Sequence, residues 1–155
     1  MRYHDKTTEL GGTATWDGLP VGRRVLVAED DPAMRDLLAL VIQDRGYQVA
    51  TVSTGSELRG LLSEPDPKGH FDLIVTDVKM PDGSGLDVID QLRQHGDSTP
   101  ALIVTAFPQD DIRQRARDLE VRLLAKPFDL DALLSAVDWA IRSNALHQWK
   151  ARWSH

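Results

Sequence analysis

Cysteine is absent from the 155-residue chain, which removes disulfides, thiolate metal sites, iron–sulfur clusters and cysteine nucleophiles together. Long hydrophobic runs are missing too. Stretches such as Val25 to Ala28 and Ala101 to Val104 are short, and nothing approaches the ~20 residues needed to cross a bilayer. The start, MRYHDKTTELGGTATWDGLPVGRR, has no apolar segment after a basic one, so no secretory leader is expected. These absences point to a cytoplasmic protein with no membrane span. Basic charge is in deficit: 18 Lys and Arg face 24 Asp and Glu, a net charge of −6. A nucleic-acid footprint needs a basic patch or stripe, so direct nucleic-acid binding is not expected.

What is present is an ordinary globular balance, with 41% hydrophobic and 27% charged residues, in a chain long enough to bury a core. Residues 1–22 hold Gly11, Gly12, Gly18 and Gly22 with several Thr and no sustained periodicity, the composition of a flexible leader. From Arg24 onward, short apolar runs alternate five times with longer amphipathic segments. The predicted strands are 24–28, 47–52, 72–77, 100–106 and 121–125. The predicted helices run from Asp31-Pro32 to near Gly46, from about 56 to 62, from the turn MPDGSG to Gly96, near 108–119, and onward from a cap at Asp129. Strands apolar on both faces require a parallel sheet covered by helices on both sides. The expected fold is therefore a doubly wound five-stranded α/β sheet over 23–142, followed by a C-terminal helical extension over 143–155.

In such folds ligands sit beyond the carboxyl ends of the strands. Those ends carry Glu29, Asp30 and Asp31 after the first strand, Asp77 after the third, Thr105 after the fourth and Lys126 after the fifth. Converging carboxylates repel one another, and a hard divalent cation accepting oxygen ligands offsets that cost. Mg²⁺ fits, because it uses one or two carboxylates, keeps waters, and takes a remaining ligand from a phosphate oxygen. A phosphoryl group bridged in this way needs counter-charge and a hydrogen-bond donor, roles open to Lys126 and Thr105. Asp31 precedes Pro32 and reads better as the cap of the first helix than as a metal ligand.

The segments VLVAEDDPAMRDLL, LIVTDVKMPDGSGLDVI, ALIVTA and LLAKPFDLDALLSAV resemble, in order and spacing, the receiver domain of two-component response regulators, of the chemotaxis-regulator kind. The resemblance spans about residues 24–142 and implies a flavodoxin-like strand order of 2-1-3-4-5. It implies Asp77 as acceptor of a phosphoryl group from a sensor histidine kinase or histidine phosphotransfer protein. Glu29, Asp30, Asp77 and the carbonyl of Lys79 are the implied Mg²⁺ site, Thr105 the switch hydroxyl, Lys126 its phosphate-pairing partner, and Lys126–Pro127 a cis peptide. A downstream effector protein or domain is the implied recipient of the signal. Lys79 and Phe107 occupy positions that in this family modulate loss of the phosphoryl group.

One departure concerns Leu123, which stands where the family often has Tyr or Phe, so coupling of an aromatic ring to Thr105 is in question. A phosphate-independent interaction domain on the same fold is accordingly the alternative. An aspartate-nucleophile phosphatase is disfavoured, because a second Asp is needed where Lys79 stands. A flavin-nucleotide carrier is disfavoured because EDDP replaces a phosphate-binding loop. Among the histidines, His4, His70, His95, His147 and His155 show no metal-ligand spacing and are expected at the surface. Beyond the fifth helix's needs, Ala145, Trp149 and Trp153 continue an every-fourth-residue series from Val137 and Ile141. A linker or a homodimerisation segment accounts for them slightly better than packing back on the same domain.

Overall fold

The computed structural model describes residues 15–16, 19–20, 22–63 and 71–153, with side chains in the two continuous stretches described as far as Asn144. Five strands form one parallel sheet: β1 (Arg24–Ala28), β2 (Gln48–Val52), β3 (Leu73–Thr76), β4 (Ala101–Thr105) and β5 (Arg122–Ala125), in the order β2-β1-β3-β4-β5. The helices between and after them are α1 (Pro32–Asp44), α2 (Gly55–Ser63), α3 (Gly85–Gln94), α4 (Asp110–Asp118) and α5 (Leu130–Trp153). The expected topology is the observed one. Element ends move by one or two residues, as frayed termini do.

Alternation along the central strands assigns the helices to two faces. Val25, Val27, Leu73, Val75, Leu102 and Val104 pack against Leu38 and Ile42 of α1 and Leu133, Val137 and Ile141 of α5. The intervening Leu26, Ala28, Ile74 and Ile103 pack against Leu58 of α2, Leu86 and Ile89 of α3, and Ala116 of α4. Strands β1, β3 and β4 are therefore apolar on both faces. The edge strands β2 and β5 are not fully covered.

Local signals set the ends. Asp31 caps α1, its carboxylate accepting from the Met34 N–H at 3.3 Å, and Asp129 accepts from the Ala132 N–H at 2.7 Å at the start of α5. The turn after β3 has Asp82 at φ 64° and Gly83 at φ 132°, the left-handed geometry that Asp-Gly supplies at low steric cost. His95 is exposed; the other four histidines lie outside the described side chains.

Most of the leader, and residues 64–70 of the loop after α2, lie outside the described residues. Within the leader, however, Thr15–Trp16 pairs antiparallel with Leu19–Pro20, a ribbon that composition did not indicate. The signal was Asp17-Gly18 between the two strands, the dipeptide favoured in two-residue hairpin loops.

At the end of the sheet away from the carboxylates, Asp138 of α5 accepts from Arg45 Nε at 3.0 Å and from the Tyr47 hydroxyl at 2.8 Å. Burial, reinforced by the Asp138 hydrogen bond, pushes the Tyr47 phenol well above its ordinary value of 10.0. An unfolded tyrosine ionises near that value while the native one keeps its proton, so this contribution is complete below pH 10.0 and is lost as pH rises further. In Tyr47→Phe the alkaline decline in stability is expected to flatten, measured as urea midpoints at increasing pH. An unchanged decline would contradict the assignment.

Candidate functional site

Each of β1, β3 and β5 delivers a charged side chain to the same edge, because parallel strands in register end together. Val27 pairs with Val75 and Ala28 with Thr76, so Glu29 and Asp77 leave neighbouring strands side by side. The backbone fixes both: the Asp77 N–H donates to the Ala28 carbonyl at 3.0 Å, and the Glu29 N–H to the Val52 carbonyl at 3.1 Å. Carboxylate oxygens of Glu29, Asp30 and Asp77 come within 4.8 Å of one another. Glu29 and Asp77 are buried and Asp30 is exposed.

Lys126 closes the cluster. Its Nζ donates to Glu29 Oε1 at 2.7 Å and to Asp77 Oδ2 at 2.9 Å. It projects from the end of β5, where its N–H donates to the Thr105 carbonyl at 2.8 Å and the Lys126–Pro127 peptide is cis. Glu29 Oε2 accepts from the Asp31 N–H at 3.1 Å, and Asp77 Oδ1 accepts from the Lys79 N–H at 3.3 Å. Burial raises the pKa of the Glu29 carboxyl, with the Lys126 ammonium and the Asp31 N–H pulling the other way and the Asp77 charge adding to the rise. Burial alone would lower the pKa of Lys126, but its two carboxylate partners outweigh it and the value is raised. The ammonium is therefore held charged between two acids.

The other expected residues flank this cluster. Thr105 is buried and its hydroxyl accepts from the Phe107 N–H at 3.1 Å. The Lys79 ammonium lies 4.5 Å from the centroid of the Phe107 ring, which is largely exposed, so a cation–π pair spans the loops after β3 and β4. Leu123 packs into the core on the α2–α3–α4 side. Asp31 serves as the cap and is not part of the three-carboxylate group.

Sequence reasoning missed Arg35. Its Nη1 donates to the backbone carbonyls of Glu29 at 3.0 Å and Asp30 at 3.4 Å, tying α1 to the acidic turn. The site also depends on a residue with no side chain. A Cβ on Gly85 would collide with the Asp77 carbonyl oxygen and the Thr76 hydroxyl, and would sit 2.8 Å from Thr76 Cγ2. With Thr76 fully buried, Gly85→Ala is expected to cost about 2–3 kcal/mol. Thermal unfolding measures it, and an unchanged midpoint would contradict the packing described.

The donor set is all oxygen, three carboxylates around one point with one of them open to solvent, which is what a hard divalent cation uses and a soft one does not. Glu29 and Asp77 each hold protein donors on both carboxylate oxygens, leaving the exposed Asp30 as the carboxylate readiest to ligate.

This arrangement, at the carboxyl edge of a 2-1-3-4-5 sheet, agrees with comparison to known proteins. The family model for the response regulator receiver domain matches residues 25–138. The chain belongs to this family. Among similar proteins, the transcriptional regulatory protein PdtaR of Mycobacterium tuberculosis is 35% identical over 134 residues, covering 85% of this chain and 63% of PdtaR. Response regulator MprA of Mycolicibacterium vanbaalenii is 36% identical over 122 residues, covering 77% of this chain and 50% of MprA. The receiver thus matches between half and two thirds of the length of these relatives. Among solved structures, the receiver domain of a LuxO repressor protein from Vibrio parahaemolyticus superposes with a TM-score of 0.74 at 28% identity, covering 83% of this chain and 97% of that one. The non-phosphorylated HemR receiver domain of Leptospira biflexa gives 0.67 at 30% identity, covering 77% and 94%. No described helix of this receiver is long and apolar enough to cross a membrane.

Proposed function

We propose that this receiver takes a phosphoryl group onto Asp77 from the phosphohistidine of a sensor histidine kinase or histidine phosphotransfer protein, and that the acyl phosphate resets a surface read by an effector. The observation that carries this reading is the placement of Asp77 Oδ2 2.9 Å from Lys126 Nζ, beside two further carboxylates.

In the transfer, an Asp77 carboxylate oxygen forms the new bond to phosphorus while the phosphorus–nitrogen bond to imidazole breaks, and the ring nitrogen keeps the electron pair. Phosphoryl transfer demands mainly positioning and charge neutralisation. Asp30, Asp77, the Lys79 carbonyl and, through its neighbours, Glu29 would hold Mg²⁺, which when bound supplies charge neutralisation for the phosphoryl oxygens. Lys126 Nζ keeps its ammonium beside Asp77, ready to exchange a carboxylate partner for a phosphoryl oxygen. The Thr105 hydroxyl, on the adjacent strand end, is the donor that moves toward the new charge of roughly −2. Its displacement takes the loop after β4 with it, and α4 and β5 adjoin that loop. Lys79 and Phe107, paired over the pocket rim, set access of water to the acyl phosphate. Such a module works where kinase and effector meet it, in the cytoplasm.

Leu123 favours a second reading, a phosphate-independent interaction domain, because an aliphatic side chain packed in the core offers no hydroxyl to follow Thr105. Beryllofluoride, a phosphoryl mimic, separates the two. With Mg²⁺ it is expected to stabilise the protein by about 2.7 kcal/mol at one hundred times its dissociation constant, seen as a rise in melting temperature. No rise, or the same rise without Mg²⁺, overturns the proposal and favours the second reading.

A further inference from the structure

The three clustered carboxylates are not held alike. Glu29 accepts from Lys126 Nζ at 2.7 Å and from the Asp31 N–H at 3.1 Å, and Asp77 accepts from Lys126 Nζ at 2.9 Å and from the Lys79 N–H at 3.3 Å. The exposed Asp30 carboxylate accepts no hydrogen bond and joins no ion pair among the described residues. Its place is set by its backbone. That backbone lies outside both regular elements, since β1 stops at Ala28 and α1 starts at Pro32.

Arg35 grips this turn. Its Nη1 donates to the Glu29 carbonyl at 3.0 Å and to the Asp30 carbonyl at 3.4 Å. Those carbonyls belong to the peptide planes on either side of the Asp30 Cα, and the orientation of the two planes fixes the direction in which its Cβ leaves the chain. Helix stability does not account for the residue. Arg35 is the fourth residue of α1, near the end where the macrodipole favours anions over cations, and it pairs with no carboxylate among the described residues.

We propose that Arg35 is a positioning residue that presets the Asp30 carboxylate for Mg²⁺ and so favours Mg²⁺ over Ca²⁺, a reading that rests on the cation site of the proposed function. Mg²⁺ demands near-ideal octahedral geometry, whereas Ca²⁺ accepts a larger and more flexible ligand set. A carboxylate that wanders therefore costs Mg²⁺ more than it costs Ca²⁺. Residues that orient a ligand without touching the metal typically account for about 10–100-fold in affinity.

Position and charge predict opposite results. The guanidinium is itself a cation beside a cation site, so its charge alone opposes Mg²⁺. If charge were its whole effect, Arg35→Met would bind Mg²⁺ more tightly than the parent, and Ca²⁺ would gain equally because it carries the same charge. If position is what matters, Arg35→Met binds Mg²⁺ more weakly and its discrimination against Ca²⁺ shrinks.

Isothermal titration calorimetry of the 155-residue chain with MgCl₂ and with CaCl₂ tests this without a phosphoryl donor. In Arg35→Met the Mg²⁺ dissociation constant is expected to rise about ten-fold and that for Ca²⁺ by less than about three-fold. Arg35→Lys keeps the charge on a shorter stem without the rigid fork, and is expected to shift the Mg²⁺ to Ca²⁺ ratio in the same direction by a smaller factor. It serves as the test if circular dichroism shows Arg35→Met unfolded. With acetyl phosphate, the deficit in Asp77 phosphorylation at limiting Mg²⁺ is expected to shrink as Mg²⁺ is raised, because Arg35 bonds to backbone and not to the Asp77 carboxylate. A parent chain that binds no Mg²⁺ overturns this inference together with the proposed function. A parent that binds Mg²⁺ while folded Arg35 variants bind it equally or more tightly, or lose Mg²⁺ and Ca²⁺ affinity in equal measure, overturns the inference alone.

Discussion

Asp77→Asn is expected to gain no mass on incubation with acetyl phosphate and Mg²⁺, while the parent chain gains one phosphoryl group. The amide keeps the shape of the carboxylate and can still accept from the Lys79 N–H, which donates to Asp77 Oδ1 at 3.3 Å, so the fold is retained. What it loses is the anionic oxygen that attacks phosphorus, and an amide oxygen is a far weaker nucleophile. Removing one of three crowded carboxylates also relieves repulsion, and Lys126 keeps Glu29 as a partner at 2.7 Å. Circular dichroism and melting of the variant should therefore match the parent, separating loss of chemistry from loss of structure. A mass gain that survives the substitution would show that another residue accepts the group.

Lys126→Met carries the second large effect, and it acts on stability and on chemistry. Glu29 is 1% exposed and Lys126 side-chain exposure is 16%, so removing the ammonium leaves a buried carboxylate beside Asp77 with no cation. Breaking such a pair from one side costs about 3 kcal/mol at neutral pH. Glu29 is already raised by burial from its ordinary 4.5, and loss of Lys126 removes a partner that holds it down. With the folded value above the unfolded one, protonation relieves the penalty: stability is fully regained below pH 4.5 and lost as pH rises through the folded value. Urea midpoints at neutral and mildly acidic pH should converge on the parent toward acid. A penalty independent of pH would contradict the coupling to Glu29. Phosphoryl uptake should fall about 10²–10³-fold, the usual loss of one preorganised donor.

The sheet was legible because its strands are short, apolar on both faces and terminated by residues of another chemical kind. DLIVTD ends in Asp77 and VRLLA is followed by Lys126, and parallel register then places those ends together. Asp31 was legible as a cap because Pro32 and the helix pattern surround it, and the 3.3 Å bond from Met34 agrees. Other features depend on the assembled fold. The Lys126–Glu29 bond joins positions 97 apart on strands that do not neighbour each other, and the Tyr47–Asp138 bond joins positions 91 apart. Arg35 works through backbone carbonyls, which leave no mark on the identity of the residues they belong to. Gly85 was read as the last residue of the turn MPDGSG, and its requirement comes from Thr76 and Asp77 pressing against it. The Thr15–Trp16 ribbon was legible in Asp17-Gly18, but the glycine-rich composition around it argued for a tail.

The central claim is that the carboxylate of Asp77 becomes an acyl phosphate. Borohydride reduces an acyl phosphate to an alcohol, converting the phosphorylated aspartate to homoserine, and peptide mass spectrometry locates the change. After acetyl phosphate, Mg²⁺ and borohydride, homoserine is expected at position 77 alone and only when Mg²⁺ was present. Homoserine at Glu29's neighbour Asp30 or elsewhere, or none at all in a folded protein, would contradict the account.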